Sequence, residues 1–108
     1  MQFLVIARDG KDKNALQRRL NARQRHIALS DEAIKKCEQI FGVAMLNENN
    51  EMCGSVMVVD FPDRESLSKW LENEPYVKEN VWDQIEVIPC KTGPSFEHII
   101  SERKDVIT

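Results

Sequence analysis

The sequence predicts an α+β protein whose elements follow the order β-α-β-β-α-β. Three observations predict it. Four short apolar runs have the length and composition of strands, and two stretches have the helical spacing of apolar residues. Along the 108 residues, one helical stretch follows the first strand and the other follows the third. A chain of this length is expected to form a single domain.

The first half of the chain predicts a strand followed by a long helical region. Residues 2–8 (QFLVIAR) form an apolar run that ends at the turn pair Asp9-Gly10, which indicates a largely buried strand. Because Ser and Asp prefer helix caps to helix interiors, residues 30–32 (SDE) leave open whether residues 13–38 hold one helix or two. The helix is indicated by apolar residues at spacings of four and seven, namely Leu16, Leu20, Ile27, Ile34 and Phe41.

The middle of the chain predicts a hairpin and a second helix. Residues 40–46 (IFGVAML) and 55–61 (SVMVVDF) read as strands joined by the polar loop 47–51. The second helix is predicted to begin at the cap Asp63 and to end at Pro75, since the residue before a proline avoids helical geometry.

A fourth strand completes the order and leaves one face of the sheet bare. Residues 84–90 (QIEVIPC) alternate polar and apolar side chains, as a half-exposed strand does. The result is the ferredoxin-like arrangement, a four-stranded antiparallel sheet with both helices on one face. An uncovered apolar face finds a partner, so we expect a homodimer through the sheet faces. The candidates for one face are Val5, Val56, Val58 and Val87, whose alternation does not assign sides.

The end of the chain is expected to form a tail. We assign residues 1–92 to the domain and residues 93–108 to the tail, in which 96–105 (FEHIISERKD) predict one or two helical turns. The pattern leaves open whether this segment is frayed or docked on a neighbouring subunit.

Composition excludes several classes of protein. No apolar run approaches the roughly 18 residues of a membrane span, and the first residues lack the features of a signal peptide, so a cytoplasmic protein without membrane contact is expected. Cys37, Cys53 and Cys90 form no CxxC pair, and His26 and His98 are far apart, so no metal site is indicated. The net charge of -3 argues against nucleic-acid binding.

Positive charge is concentrated near the start of this acidic chain. Residues 8–26 carry seven Lys/Arg against two Asp, whereas residues 47–86 carry ten Asp/Glu against three Lys/Arg. The imbalance predicts a locally positive site in an acidic protein. Arg18 and Arg25 fall outside the stripe described next, and are expected to be solvated.

Four polar residues of the helical region fall on one face at spacings of 4, 3 and 4, namely Arg19, Arg23, His26 and Ser30. Arginine forks bind carboxylate or phosphate groups bidentately, and two nearby cations keep a histidine neutral and available as a base. Asp9 is placed to reach the start of the helix, where a carboxylate would fix the ring tautomer. A solvated helix face without function explains the same spacing.

Several short motifs together resemble the YciI-like family over residues 2–92. The matching elements are Ala7-Arg8-Asp9, then Arg19-Leu20-x-x-Arg23-x-x-His26-Ile27, then Gly54-Ser55 and Glu74-Pro75-Tyr76. The chain departs from the family in two places. It has Glu74 where Asp-Pro-Tyr is usual, and no proline in the stretch 42–45 where the family has Gly-Pro.

The resemblance implies a ferredoxin-like fold that pairs as a dimeric α/β barrel, and an enzyme with a His–Asp pair. The pair would fall on His26 and Asp9. The resemblance also implies that Arg19 and Arg23 bind the anion of a substrate, and that the pocket is lined by Gly54, Ser55, Pro75 and Tyr76. It implies no cofactor.

The leading expectation is therefore a cofactor-free acid/base reaction, such as an elimination, an isomerisation or a related lyase reaction, on a small anionic substrate. The alternative is a non-catalytic dimeric module that binds an anion or small ligand with the same residues. A cofactor-free oxygenase of the same architecture also remains open. Contact with nucleic acid is disfavoured by the isoelectric point near 5.4.

Overall fold

A computed structural model describes residues 1–99 and shows a four-stranded antiparallel sheet with helices packed on one face. The sheet order is β2-β3-β1-β4, so β1 and β3 lie at its centre. The predicted β-α-β-β-α-β order is confirmed, with one additional short helix. In chain order the elements are β1 (Gln2–Asp9), α1 (Ala15–Lys35), β2 (Gln39–Leu46), β3 (Met52–Asp60), α2 (Arg64–Glu72), α3 (Pro75–Lys78) and β4 (Trp82–Cys90).

The central strand β1 sets the position of the first polar residues of the site. Its side chains alternate, and Phe3, Val5 and Ala7 are completely buried under the helices. Asp9 continues the same face at the end of the strand and is also buried. Ala7 pairs with Ser55 of β3, so Asp9 and Ser55 lie close together on the helix-covered side of the sheet.

Helix α1 is one continuous helix of 21 residues, and Ser30 does not interrupt it. Its inner face also differs from the predicted apolar stripe. The fully packed positions are Ala15, Arg19, Ala22 and Ala33, whereas Leu20 is 47% exposed. The helix packs on α3 and also contacts β2. No helix within residues 1–99 is long and apolar enough to cross a membrane.

Two caps fix the helices after β3. Asp63 accepts a hydrogen bond from the backbone N–H of Ser66 (2.8 Å), which confirms it as the cap of α2. The helix α2 already ends at Glu72, and Pro75 belongs to the next helix. The proline occupies the first turn of α3, where its missing N–H is not needed, and the Glu74 side chain caps α3 by accepting from the Tyr76 N–H (3.2 Å).

The opposite face of the sheet is apolar and is not covered by α1, α2 or α3. The four valines divide between the faces: Val5 and Val87 pair on the helix side, whereas Val56 and Val58 lie on the other. Phe41, the partner of Val58 on β2, is 63% exposed on this open face. Phe41 therefore belongs to the sheet and not to the helix stripe in which the sequence placed it.

The chain continues past β4 into a 3-10 turn, Pro94–Phe96, followed by helical residues up to 99. The helical turns predicted for residues 96–105 extend beyond the described residues. Phe96 and Ile99 expose apolar surface beside Phe41 and Val58.

Candidate functional site

A cavity of about 310 Å³ lies between the second half of α1 and the strands β2 and β3. All four residues of the predicted polar stripe line it, namely Arg19, Arg23, His26 and Ser30. Gly42 and Ala44 of β2 form part of the opposite wall, where a missing side chain and a single methyl group leave the space open. A second cavity of about 370 Å³, beside Phe96, is lined mainly by apolar side chains and holds no acid/base group besides Lys91 and Cys90. The first cavity is therefore the candidate site.

Arg19 is held inside the protein by two partners from the sheet. Its Nη1 donates to both carboxylate oxygens of Asp9 (2.9 and 3.2 Å), and its Nη2 donates to Ser55 Oγ (2.9 Å). The side chains of Arg19 and Asp9 are each only 3% exposed. Burial raises the pKa of Asp9 above its ordinary value, and the guanidinium beside it opposes that shift. The positive charge of Arg19 is thus paired with a carboxylate of the protein itself.

His26 is paired with Glu74 and not with Asp9. Its Nδ1 lies 2.7 Å from Glu74 Oε1, and Glu74 is completely buried. The expected pairing of Asp9 with His26 is replaced by two separate pairs, because the guanidinium of Arg19 occupies the Asp9 carboxylate. The bond to Glu74 places the proton on Nδ1 and leaves Nε2, on the other side of the ring, as the bare nitrogen. Among residues 1–99, Nε2 has no hydrogen-bond partner.

The Tyr76 ring connects the two pairs. His26 stacks on it with ring centroids 4.0 Å apart, and the guanidinium carbon of Arg19 lies 4.7 Å from its centroid. Arg19 and His26 are seven residues apart on α1, and both lie against the Tyr76 ring. Burial raises the pKa of the Tyr76 phenol above its usual value, which keeps its hydroxyl protonated and able to donate.

Three polar atoms around this cluster are buried without a partner among the described residues: Glu74 Oε2, Arg19 Nε and Trp82 Nε1. Trp82 packs edge-on against both Tyr76 (5.6 Å) and His26 (6.2 Å). Among residues 1–99, the only ionisable side chain within hydrogen-bond distance of the Glu74 carboxylate is that of His26.

Arg23 is a cation of the cavity wall that is free to bind an anionic ligand. It is exposed, lines the cavity, and makes no ion pair or hydrogen bond among residues 1–99. The two arginines outside the stripe have carboxylate partners, since Arg18 forks onto Asp12 and Arg25 pairs with Glu79. Both lie at the surface, where 58% of the Arg25 side chain and 30% of the Arg18 side chain are exposed, and the ion pairs are an addition to what the sequence predicted.

Two residues predicted to line the pocket lie elsewhere. Gly54 is on the open face of the sheet, where a Cβ would come within 2.7 Å of the Ala7 carbonyl oxygen. Pro75 begins α3 behind Tyr76 and does not line the cavity. Ser55 and Tyr76 do line it. No group of three or more His, Cys, Asp or Glu in the described part of the chain could hold a metal ion.

Sequence reasoning missed Glu74 as the partner of His26. A signal was present, because Glu74 stands where the resembling family has an aspartate, and the resemblance therefore already placed a carboxylate there. Nothing in the sequence indicates that a residue 48 positions away folds back onto the ring.

Comparison with known proteins gives a family and a fold. The sequence model of the YCII-related domain matches residues 1–91. A search of curated proteins finds no match to this chain.

Among solved structures, the chain is similar to 5-chloro-2-hydroxyhydroquinone dehydrochlorinase from Burkholderia phenoliruptrix AC1100, in complex with 2,5-dihydroxybenzoquinone. The TM-score is 0.75 at 22% identity, over 88% of this chain and 98% of that chain. It is also similar, with a TM-score of 0.49 and 13% identity, to a dimeric ferredoxin-like protein from an uncultured marine organism, over 85% of this chain and 90% of that one. At these identities the likeness concerns the fold.

Proposed function

Because this chain belongs to the YCII-related domain family, we propose that it is a small-molecule enzyme that performs cofactor-free acid/base chemistry on an anionic substrate. One observation carries the proposal. The imidazole of His26 lies between a buried carboxylate and a cavity that is open to small molecules. Proton transfer requires a base that a second group holds in position and that faces the space where the substrate binds.

In this proposal Nε2 of His26 removes a proton from the substrate. The imidazolium that forms completes an ion pair with Glu74, whose Oε2 has no other partner among the described residues. In an elimination, the electrons of the broken bond to hydrogen form a double bond, and the leaving group departs as an anion. In an isomerisation, the same proton returns to a different atom of the substrate.

The other residues of the site have supporting roles. Arg23 binds the anionic group of the substrate, and the Tyr76 hydroxyl donates a hydrogen bond. Asp9 acts through Arg19. By fixing that guanidinium, it holds a cation against the same Tyr76 ring on which His26 stacks. Asp9 and Arg19 are thus positioning residues, and Ser55 completes their hydrogen-bond set.

We name elimination first because the structural neighbour is a dehydrochlorinase, and the overall loss of a proton and a chloride ion from one molecule needs a base. We also propose that the protein is a cytoplasmic homodimer that pairs through its open sheet face. The support is the row of exposed apolar residues there, including Phe41 and Ile88.

The experiment measures chloride release from 5-chloro-2-hydroxyhydroquinone by the wild type and by His26→Gln. We expect release by the wild type and a loss of roughly a hundredfold or more in the variant, the range for removal of a general base. Equal rates in both proteins would contradict the role of His26. Binding of the compound without release by the wild type would favour the non-catalytic binding module.

A further inference from the structure

The cavity contains one cation and one anion that no described residue neutralises. Arg23 and Asp31 both line it, both are exposed, and neither forms an ion pair within residues 1–99. The other cation of the wall, Arg19, is bound to Asp9, and His26 is bound to Glu74. A ligand therefore meets a single available positive charge and a single available negative charge.

The two charged residues lie at different positions along the axis of α1. Arg23 and Asp31 are eight residues apart on the unbroken helix α1, which separates their backbones by about 12 Å along its axis. His26 lies between them on the same helix. The volume of about 310 Å³ is at the small end of the range for ligand cavities. A small molecule can thus reach towards both charged ends while its middle lies beside His26.

We propose that the cavity selects small monoanions that have a hydrogen-bond donor at the end opposite the anionic group. The anionic group binds Arg23, and a hydroxyl or other donor binds the carboxylate of Asp31. The carbon frame between them lies against apolar wall residues such as Ile27 and Met57. A second anionic group at the far end is repelled by Asp31, so dianions are rejected.

This inference rests on the proposed function in one respect, since it is the proposed base His26 that the carbon frame faces. It gives Asp31 a role as a specificity-determining residue, although the sequence indicated only a helix-breaking position there.

Two probes of matched shape test the proposal by equilibrium binding, followed through NMR shifts of the cavity residues. The first is 4-hydroxybenzoate, a monoanion with a donor at the far end, and the second is terephthalate, which has a second carboxylate there. We expect the wild type to bind 4-hydroxybenzoate about fivefold or more tightly than terephthalate, the effect of one like charge near contact distance in water. Arg23→Gln should weaken the binding of both probes.

Asp31→Asn should raise the affinity for terephthalate and remove most of the preference. Glu32→Gln, a neighbouring exposed residue that does not line the cavity, is the matched control and should leave the preference unchanged. The proposal is overturned by equal binding of the two probes to the wild type, by an unchanged preference in Asp31→Asn, or by the absence of binding of either probe. Because neither probe has to react, these outcomes are separate from the turnover test of His26.

Discussion

Asp9 and Arg19 form a charged pair that the fold has removed from water, with the Ser55 hydroxyl on the second guanidinium nitrogen. Removing one partner of such a pair is far more costly than the net contribution of the pair, because the other charge stays buried. This guanidinium lies against the Tyr76 ring on which His26 stacks. At the residue scale, then, the buried pair and the histidine contact the same aromatic ring.

Asp9→Asn should destabilise the protein by about 3 kcal/mol, the lower end of the cost of breaking a buried ion pair. The free energy of unfolding in urea measures it. Asp12→Asn is the matched control, because Asp12 pairs with Arg18 at the surface and is expected to matter little. Equal effects of the two substitutions would show that the Asp9–Arg19 pair is not buried as described.

Glu74→Gln tests the carboxylate behind the histidine. The amide oxygen can still accept from the Tyr76 N–H and from His26 Nδ1, so we expect the fold to be retained, but the charge that stabilises the imidazolium is lost. Turnover should fall by roughly a hundredfold or more, as in related carboxylate–histidine pairs. Glu79→Gln, which removes a surface partner of Arg25, should leave the rate unchanged. An unchanged rate in Glu74→Gln itself would remove Glu74 from the mechanism.

At the scale of elements, the cavity lies between α1 and the strands β2 and β3. Alanines on the inner face of α1 (Ala15, Ala22 and Ala33) allow close packing, whereas Ser30 on the helix and Gly42 and Ala44 on β2 leave room for the cavity. The sequence identified the helix because its period is local. It misassigned the buried face, since Leu20 was placed in the core by hydrophobicity, whereas Arg19 is buried by partners on other strands.

The close packing of β3 against β1 and β2 accounts for Gly54. A Cβ there would lie 2.7 Å from the Ala7 carbonyl oxygen, a backbone atom that cannot move aside alone. Gly54→Ala should therefore destabilise the fold by about 2 kcal/mol, as overpacking does. In Gly42→Ala the new methyl group approaches the flexible end of Gln39 (2.9 Å), so the loss should be smaller. Thermal unfolding of both variants measures the difference, and a harmless Gly54→Ala would show that the strands can separate.

At the scale of the whole molecule, the open face of the sheet predicts a homodimer. Phe41→Lys places a charge on that face and should convert the dimer to monomer, whereas Leu20→Lys, at an exposed apolar position on α1, should not. Sedimentation velocity reports the mass of each variant. A wild type that sediments with the mass of one chain would contradict the dimer.

The order of the elements could be predicted from the sequence, but much of the site could not. Strands and helices are marked by local periodicity, and the stripe from Arg19 to Ser30 follows from helical spacing alone. The partners of that stripe are tertiary. Asp9 is 10 residues from Arg19, and Ser55 and Glu74 are 36 and 48 residues from the groups that they bind. Such contacts depend on strand register and on the short helix α3, neither of which has a local pattern.

The central claim is that Glu74 holds His26 with its bare Nε2 towards the cavity. The most direct test is the ¹⁵N NMR spectrum of the labelled protein above the pH at which the imidazole titrates. The chain has two histidines, so His98→Gln assigns the signals of His26, with exposed His98 as the reference. The account predicts a protonated Nδ1 and an unprotonated Nε2 for His26, and loss of this preference in Glu74→Ala. A proton on Nε2 with a bare Nδ1 in the wild type would contradict it.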